Sequence, residues 1–96
     1  DLGCGTGTLT IQIKQHFPSI ELIGLDGDDT VLQIARHKAE AAGISIQWRE
    51  GLASALPYPE ASFDRVVSCL VIHHLTASNK VKAFQEVFRV LENQPA

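Results

Sequence analysis

A glycine-rich run opens the chain, and its residue types suit the binding of a small ligand by backbone groups. Residues 1–7 read DLGCGTG, so glycine occupies three alternate positions, Gly3, Gly5 and Gly7. Glycine permits a tight strand-to-helix turn and lets a ligand approach the backbone without obstruction by a Cβ atom. The start of the following helix favours an anionic group, whereas Asp1 just before the loop favours a cationic one. A tight turn without a ligand is the alternative interpretation.

The spacing of this loop differs from that of the dinucleotide fingerprint, G-x-G-x-x-G, because Thr8 stands where its last glycine would be. The difference disfavours a pyrophosphate cradle and therefore an oxidoreductase with a nucleotide cofactor. Asp26 follows Gly7 by nineteen residues, at the end of a predicted strand. A carboxylate there can accept hydrogen bonds from both hydroxyls of a ribose. Alternatively, Asp26 caps the next helix, although Asp28 already offers a capping side chain.

The rest of the chain alternates between short apolar runs and helical periodicity. Strands are predicted over 20–25, 44–48 and 65–72, after one that ends at Leu2; helices are predicted over 8–17, 28–42 and 80–91, and a loop over 51–62. Pro18 is expected to stop the first helix and Gly43 to cap the second. The apolar faces are expected at Leu9, Ile13 and Phe17 in the first helix and at Val81, Phe84, Val87, Phe88 and Leu91 in the last.

This order of elements predicts an α/β, Rossmann-like, doubly wound fold with a mostly parallel sheet. The sheet is expected to be truncated, with the first strand nearly absent and none after the fourth. The strand ending at Leu2 is predicted to be central, and ligands are expected at the carboxyl ends of the strands. The chain contains no methionine, which indicates an excerpt of a longer protein, and we expect the isolated 96 residues to fold poorly.

The composition is typical of one ordinary globular domain. Of the 96 residues, 45% are hydrophobic and 20% charged, and the formal net charge is −3. A mildly acidic chain is not expected to bind nucleic acid. The longest apolar run, 66–72, is far shorter than the roughly 20 residues of a membrane-spanning helix. Two cysteines and no leader at the start favour a reduced, cytoplasmic setting.

Four sequence blocks together resemble one enzyme family. DLGCGTG at 1–7, GLD at 24–26, LPYPEASFD at 56–64 and IHHL at 72–75 follow one another along the whole chain. The set resembles the class I S-adenosylmethionine-dependent methyltransferases, and within them the small-molecule branch with the quinone C-methyltransferases and the malonyl-carrier O-methyltransferases. The resemblance implies that residues 1–96 are a partial domain that binds S-adenosyl-L-methionine and transfers its methyl group to a small-molecule acceptor. The positive sulfonium of this cofactor also agrees with Asp1 ahead of the loop.

The resemblance implies cofactor contacts position by position. The glycine loop would hold the methionine part, with Asp1 near its ammonium group, and Asp26 would bind the ribose hydroxyls. The full implied set is Asp1, Gly3, Cys4, Gly5, Gly7, Asp26, Gly27 beside the adenine, Leu52, Ala53 and Cys69, the last through its backbone.

One position departs from the family pattern. After the third strand the family commonly has Gly-Asp-Ala, whose Asp contacts the adenine amino group, whereas this chain has Gly51-Leu52-Ala53. Leu52 cannot accept that hydrogen bond, so backbone groups near Leu52 and Ala53 and apolar packing must hold the base. The missing bond corresponds to about 1 kcal/mol of binding free energy. Besides the oxidoreductase considered above, this departure leaves open a further alternative to an active enzyme: a degenerate, non-catalytic domain that binds the cofactor weakly or packs against a partner.

His73 and His74 close the fourth predicted strand at its ligand-binding end. Histidine can act as a general base near neutral pH, but these two residues can equally well only shape the pocket. Methyl transfer is an in-line displacement with a good leaving group, so proximity and alignment can supply most of the catalysis. Cys4 and Cys69 are expected to be reduced, and neither has the neighbours of a metal or nucleophilic site.

Overall fold

The computed structural model of the chain describes residues 1–68 and 76–91. Within these ranges the elements follow in the order α1 (Thr8–His16), β1 (Ile23–Asp26), α2 (Asp29–Ala41), β2 (Gln47–Glu50) and α3 (Ala77–Val90). Cys69, His73, His74 and half of the strand predicted at 65–72 lie outside the described residues. No helix of the described part is both long and apolar enough to cross a membrane.

The sheet is parallel, and the residue that precedes the glycine loop lies at its centre. β1 and β2 pair in parallel, from Ile23 opposite Gln47 to Asp26 opposite Glu50. Leu2 makes a parallel bridge to Leu25 on one side and another to Ser68 on the other. The spatial order is therefore β2, β1, Leu2, Ser68, which confirms the central position predicted for the strand that ends at Leu2. A parallel sheet joined by helical connections is the doubly wound arrangement that the sequence predicts.

The two faces of the sheet carry different cores because consecutive residues of a strand point to opposite sides. On one face Leu25 packs in a buried cluster with Leu2, Leu56 and Val90, the last of which belongs to α3. On the other face the ring of Trp48 lies over Gly24, and α2 packs through the buried side chains Leu32, Ala35 and Ala39. Helices thus cover both faces of the sheet.

Local signals set the end of α1 and both ends of α2 as predicted, but the start of α3 differs from the prediction. α1 ends at His16, two residues before Pro18. The side chain of Asp28 accepts a hydrogen bond from the Thr30 N–H at 2.9 Å and caps α2. Gly43 follows α2 with a φ of 68°, the left-handed conformation that suits glycine at a helix end. α3 begins three residues earlier than predicted because the Thr76 hydroxyl accepts the Asn79 N–H at 3.2 Å.

The predicted strand bounds were wrong by one to three residues at each end. β1 spans 23–26 and not 20–25, and β2 spans 47–50 and not 44–48. Apolar residues mark what a segment can bury, whereas strand bounds follow the ladder of backbone hydrogen bonds. That ladder begins where the Gln47 N–H meets the Leu22 carbonyl at 3.2 Å and continues through the polar Arg49 and Glu50.

The predicted helix faces were also wrong in part. In α1 the buried residues are Thr10 and Ile11, while Leu9 and Phe17 are 37% and 61% exposed. The Thr10 hydroxyl donates to Asp1 Oδ2 at 2.8 Å, so the face of the helix that meets the sheet is rotated toward this polar contact. In α3 the buried residues are the small Ala83 and, two turns later, Val90. The predicted positions that are instead exposed in α3 are Val81, Phe84 and Phe88.

Candidate cofactor-binding site

Three loops begin at the same edge of the sheet. Gly3 follows the central bridge residue Leu2, Gly27 follows the last residue of β1, and Gly51 follows the last residue of β2. Because the strands are parallel neighbours, these loops leave from their common carboxyl end, where ligands of this fold class bind. The edge therefore collects most of the residues that the sequence singles out.

The glycines of the first loop serve two different purposes. Gly3, Gly5 and Gly7 all have positive φ values, 65°, 56° and 82°, which other residues adopt only with strain. At Gly5 a Cβ would meet no atom within 4 Å, so the space above this residue is open to a ligand. At Gly7 a Cβ would lie 2.8 Å from the ring of Trp48 and 3.0 Å from Ala35, so this glycine allows close packing.

Trp48, which the sequence reasoning did not select as a functional residue, supports the glycine loop from one face of the sheet. It lies opposite Gly24 in the parallel register, and a Cβ on Gly24 would come within 2.6 Å of its ring. The same ring contacts Gly7. A glycine inside a buried strand is a sequence signal for such a close approach, and Gly24 carries it.

The carboxylate of Asp26 joins two of the three loops. Its Oδ2 accepts the Gly5 N–H at 2.9 Å, and its Oδ1 accepts the Asp28 N–H at 3.0 Å. A carboxylate can accept about four hydrogen bonds, so each oxygen keeps capacity for a further donor at this edge. Since the helix cap is Asp28 and not Asp26, the alternative role considered for Asp26 is filled by another residue.

Asp1 and Cys4 are half-buried residues of the glycine-rich run itself. Asp1 is half-buried and fixed by the fully buried Thr10, whose hydroxyl donates to Oδ2. Burial, and to a lesser degree the negative charge of Asp26, raises the pKa of Cys4 to about 11. The Cys4 thiol is therefore neutral near pH 7 and is not a thiolate nucleophile.

Gly27 and Leu52 form an apolar shelf next to Asp26. A Cβ on Gly27 would lie 3.3 Å from Leu52 Cδ2 and 3.7 Å from the Gly51 carbonyl. Leu52 is 60% exposed, while Ala53 beside it is buried. The Ala55 N–H donates to the Leu52 carbonyl at 3.0 Å and closes the turn that carries both residues. An exposed leucine over a glycine offers a flat apolar surface of the kind that a purine can cover.

Of the predicted site residues, the structure brings to one edge Gly3, Cys4, Gly5, Gly7, Asp26, Gly27, Leu52 and Ala53. Asp1 lies level with the middle of β1, where its backbone carbonyl accepts the Leu25 N–H at 2.9 Å. Cys69, His73 and His74 lie outside the described residues, so their roles stay predictions. A cavity of about 540 Å³ lies at the opposite, amino end of β1 and β2, where it touches Ile23 and Gln47. In the described ranges no three His, Cys, Asp or Glu side chains come together as a metal site requires.

Comparison with known proteins shows the family of this chain. Residues 1–94 match the family described as a methyltransferase domain. The chain belongs to this family. It is similar to the demethylmenaquinone methyltransferase of Thermus thermophilus, with 38% identity over 91 residues that cover 95% of this chain and 40% of the relative. The chain spans about two fifths of the length of the curated relatives it matches first.

Solved structures give the same result. The PH0226 protein of Pyrococcus horikoshii superposes with a TM-score of 0.89 at 27% identity, over 96% of this chain and 42% of that protein. The YcgJ protein of Bacillus subtilis superposes with a TM-score of 0.85 at 31% identity, over 96% and 38%. The Rossmann-like fold and the resemblance to S-adenosylmethionine-dependent methyltransferases are thereby confirmed, and the family implies S-adenosyl-L-methionine as the cofactor.

Proposed function

We propose that this domain binds S-adenosyl-L-methionine at the carboxyl edge of its sheet and serves methyl transfer to a small-molecule acceptor. One observation carries the proposal: the Asp26 carboxylate is held by the Gly5 N–H between the open glycine loop and the Gly27–Leu52 shelf. This arrangement offers a carboxylate for a ribose, a backbone loop on one side of it and an apolar surface on the other. When bound, the cofactor supplies a methyl group on a positively charged sulfur.

The residues of the edge divide the cofactor between them. Asp26 has unused acceptor capacity for the two ribose hydroxyls. The shelf of Gly27 and Leu52 would cover the adenine, and the loop around Gly5 would receive the methionine part. Asp1 adds a second carboxylate at the start of that loop, where it accepts the Thr10 hydroxyl, and its negative charge favours both the ammonium group and the sulfonium.

For the acceptor we propose a quinone-type ring in its reduced, hydroquinone form, whose electron-rich carbon takes the methyl group from sulfur and then loses its proton. The support is the similarity to a protein named demethylmenaquinone methyltransferase. Proximity and alignment can supply most of the rate enhancement in a displacement of this kind. His73 and His74 stay the candidates for a base that removes the acceptor's proton.

Binding is tested first, by isothermal titration of S-adenosylhomocysteine, the demethylated product, into the purified protein. We expect the Asp26→Asn variant to bind at least about tenfold more weakly, because the amide offers one acceptor oxygen in place of two and no charge. The matched control is Asp29→Asn, since Asp29 contacts only Gln33 and Arg36 on the exposed side of α2 among the contacts described. NAD titrated in parallel is expected to give no heat, because the loop lacks the dinucleotide spacing.

The outcomes separate the alternatives. If circular dichroism shows that the protein is folded and S-adenosylhomocysteine gives no heat of binding, the cofactor proposal is wrong. Transfer is then measured with methyl-labelled S-adenosylmethionine and a demethylated naphthoquinone that has been chemically reduced to its hydroquinone. Label in the quinone supports the proposed acceptor, whereas binding without transfer to this or other small acceptors favours the non-catalytic alternative.

A further inference from the structure

An ion pair on α3 holds the loop that carries Leu52 of the Gly27–Leu52 shelf. Glu86 Oε1 accepts the Leu56 N–H at 2.7 Å, and Arg89 donates to the carbonyls of Leu56 at 3.1 Å and Tyr58 at 2.7 Å. The two side chains also bond to each other, from Arg89 Nε to Glu86 Oε2 at 2.7 Å and from Nη2 to Oε1 at 3.0 Å. Two side chains of one helix therefore satisfy three backbone groups of one loop.

This pair differs from an ordinary surface ion pair. The side chains of Arg89 and Glu86 are 31% and 19% exposed, whereas those of Arg36 and Asp29 in the other ion pair described are 43% and 49% exposed. Hydrogen bonds from Arg89 hold the pKa of Glu86 below its usual range, so the pair stays ionised at neutral pH. Charge-assisted, partly desolvated hydrogen bonds are stronger than exposed ones.

The loop held by the pair includes Leu52 of the shelf, and its second half packs against Gly51, the residue before Leu52. We call residues 51–58 the base-side loop. The Pro57 ring lies 3.3 Å from the position of a Cβ on Gly51, and the Gly51 N–H donates to the Asp26 carbonyl at 3.0 Å. Leu56 is buried in the core beside Leu25. A shift of residues 56–58 would thus move the segment that ends β2 and carries Leu52.

We propose that Glu86 and Arg89 are positioning residues that fix the base-side loop, and through it the shelf for the adenine, although neither touches the cofactor. This inference rests on the proposed function. It predicts that breaking the pair weakens the binding of the nucleoside end of any ligand. The amino-acid end, bound at the glycine loop, would be unaffected.

The test titrates two probes, S-adenosylhomocysteine and 5′-methylthioadenosine, which has the nucleoside and the sulfur but no amino acid. In Arg89→Lys and Glu86→Ala we expect both probes to bind about tenfold more weakly, by the same factor. Lysine keeps the charge but cannot reach two carbonyls and Glu86 together. Glu86→Gln keeps an acceptor for the Leu56 N–H but loses the charge and one of the two bonds from Arg89, so its affinity should lie between those of the wild type and Glu86→Ala. Arg36→Lys, in the exposed pair, is the matched control and should bind like the wild type.

A second measurement needs no ligand. Hydrogen exchange of the peptide that covers the base-side loop should be faster in Arg89→Lys than in the wild type or in Arg36→Lys, well below the thermal midpoint. Unchanged affinities and exchange in Arg89→Lys and Glu86→Ala overturn the positioning role while the wild type still binds. The positioning role is also overturned if these variants lose affinity for S-adenosylhomocysteine but keep their affinity for 5′-methylthioadenosine. A wild type that binds neither probe overturns the proposed function itself, whereas the exchange data still decide whether the pair fixes the loop.

Discussion

The contact between Gly24 and Trp48 makes a quantitative prediction about how the glycine loop is supported. In Gly24→Ala the new Cβ would lie 2.6 Å from Trp48 Cε3 and Cζ3 and 3.2 Å from Cys4 Sγ. Carbon atoms in contact are normally about 3.5–4.0 Å apart, so the indole must move by about 1 Å. Overpacking of this size costs about 1–3 kcal/mol of unfolding free energy. Gly24 has no positive φ, so the cost is steric and not conformational.

The same contact predicts that the loss of unfolding free energy in Gly24→Ala depends on the side chain at Trp48. Both crowded atoms, Cε3 and Cζ3, belong to the six-membered ring of the indole. Trp48→Phe leaves a single ring attached at Cγ, with no atom at the positions of Cε3 and Cζ3. In the Trp48→Phe protein, Gly24→Ala should leave the free energy of unfolding almost unchanged. It could raise it slightly, because alanine loses less backbone entropy than glycine on folding. The coupling free energy between the two substitutions should therefore be at least about 1 kcal/mol.

The assay is urea denaturation of the four proteins of this double-mutant cycle, followed by far-ultraviolet circular dichroism. Gly43→Ala is the control, because Gly43 has a φ of 68° and nothing within 4 Å of a Cβ. Gly43→Ala should lower the free energy of unfolding through backbone strain alone, and by the same amount in the wild-type and Trp48→Phe backgrounds. An equal cost of Gly24→Ala in both backgrounds would refute the steric reasoning, and so would a coupling for Gly43→Ala.

Three further predictions concern single side chains. Leu52→Ala removes the exposed apolar side chain of the adenine shelf and should weaken S-adenosylhomocysteine binding about three- to tenfold by calorimetry; unchanged or stronger binding would contradict the shelf. Cys4, with its pKa raised from 9.0 to about 11, should react slowly with iodoacetamide near pH 7 in a Cys69→Ser background. Between pH 9 and about pH 11 the folded thiol keeps a proton that the thiol of the unfolded chain releases. The free energy of unfolding should therefore fall as the pH rises through this range, and an unfolding free energy that does not change there would argue against the burial of Cys4. Leu32→Ala, at a fully buried position of α2, should cost about 2–5 kcal/mol in urea denaturation, whereas the exposed control Ile34→Ala should cost about 0.5 kcal/mol or less.

Features that depend on a few neighbouring residues could be predicted from the sequence. Pro18, Asp28 and Gly43 act at helix ends through their own backbone or side chain, and all three do what their residue types predict. The alternation of strands and helices likewise fixed the topology, because parallel strands require long crossover connections. The position of Leu2 at the centre of the sheet followed from that topology.

The faces of the helices could not be predicted in the same way. Leu9 and Phe17 have the spacing of a buried stripe in α1, yet Thr10 is the residue that is fully buried. Its burial depends on Asp1, which is adjacent only after folding. Hydrophobic spacing identifies which residues could be buried, but a polar contact with another segment decides the rotation of the helix.

The candidate site shows the same division. The residue types of the site, glycines with open backbone, a carboxylate after a strand and an apolar residue after the next, are determined by the amino-acid sequence alone. Only the tertiary structure decided that Asp26 binds the Gly5 N–H, that the ring of Trp48 packs against Gly24 and Gly7, and that Arg89 holds a loop 31 residues away in the chain. These contacts join segments distant in sequence, and their geometry follows from how the strands and helices pack together and not from any local propensity.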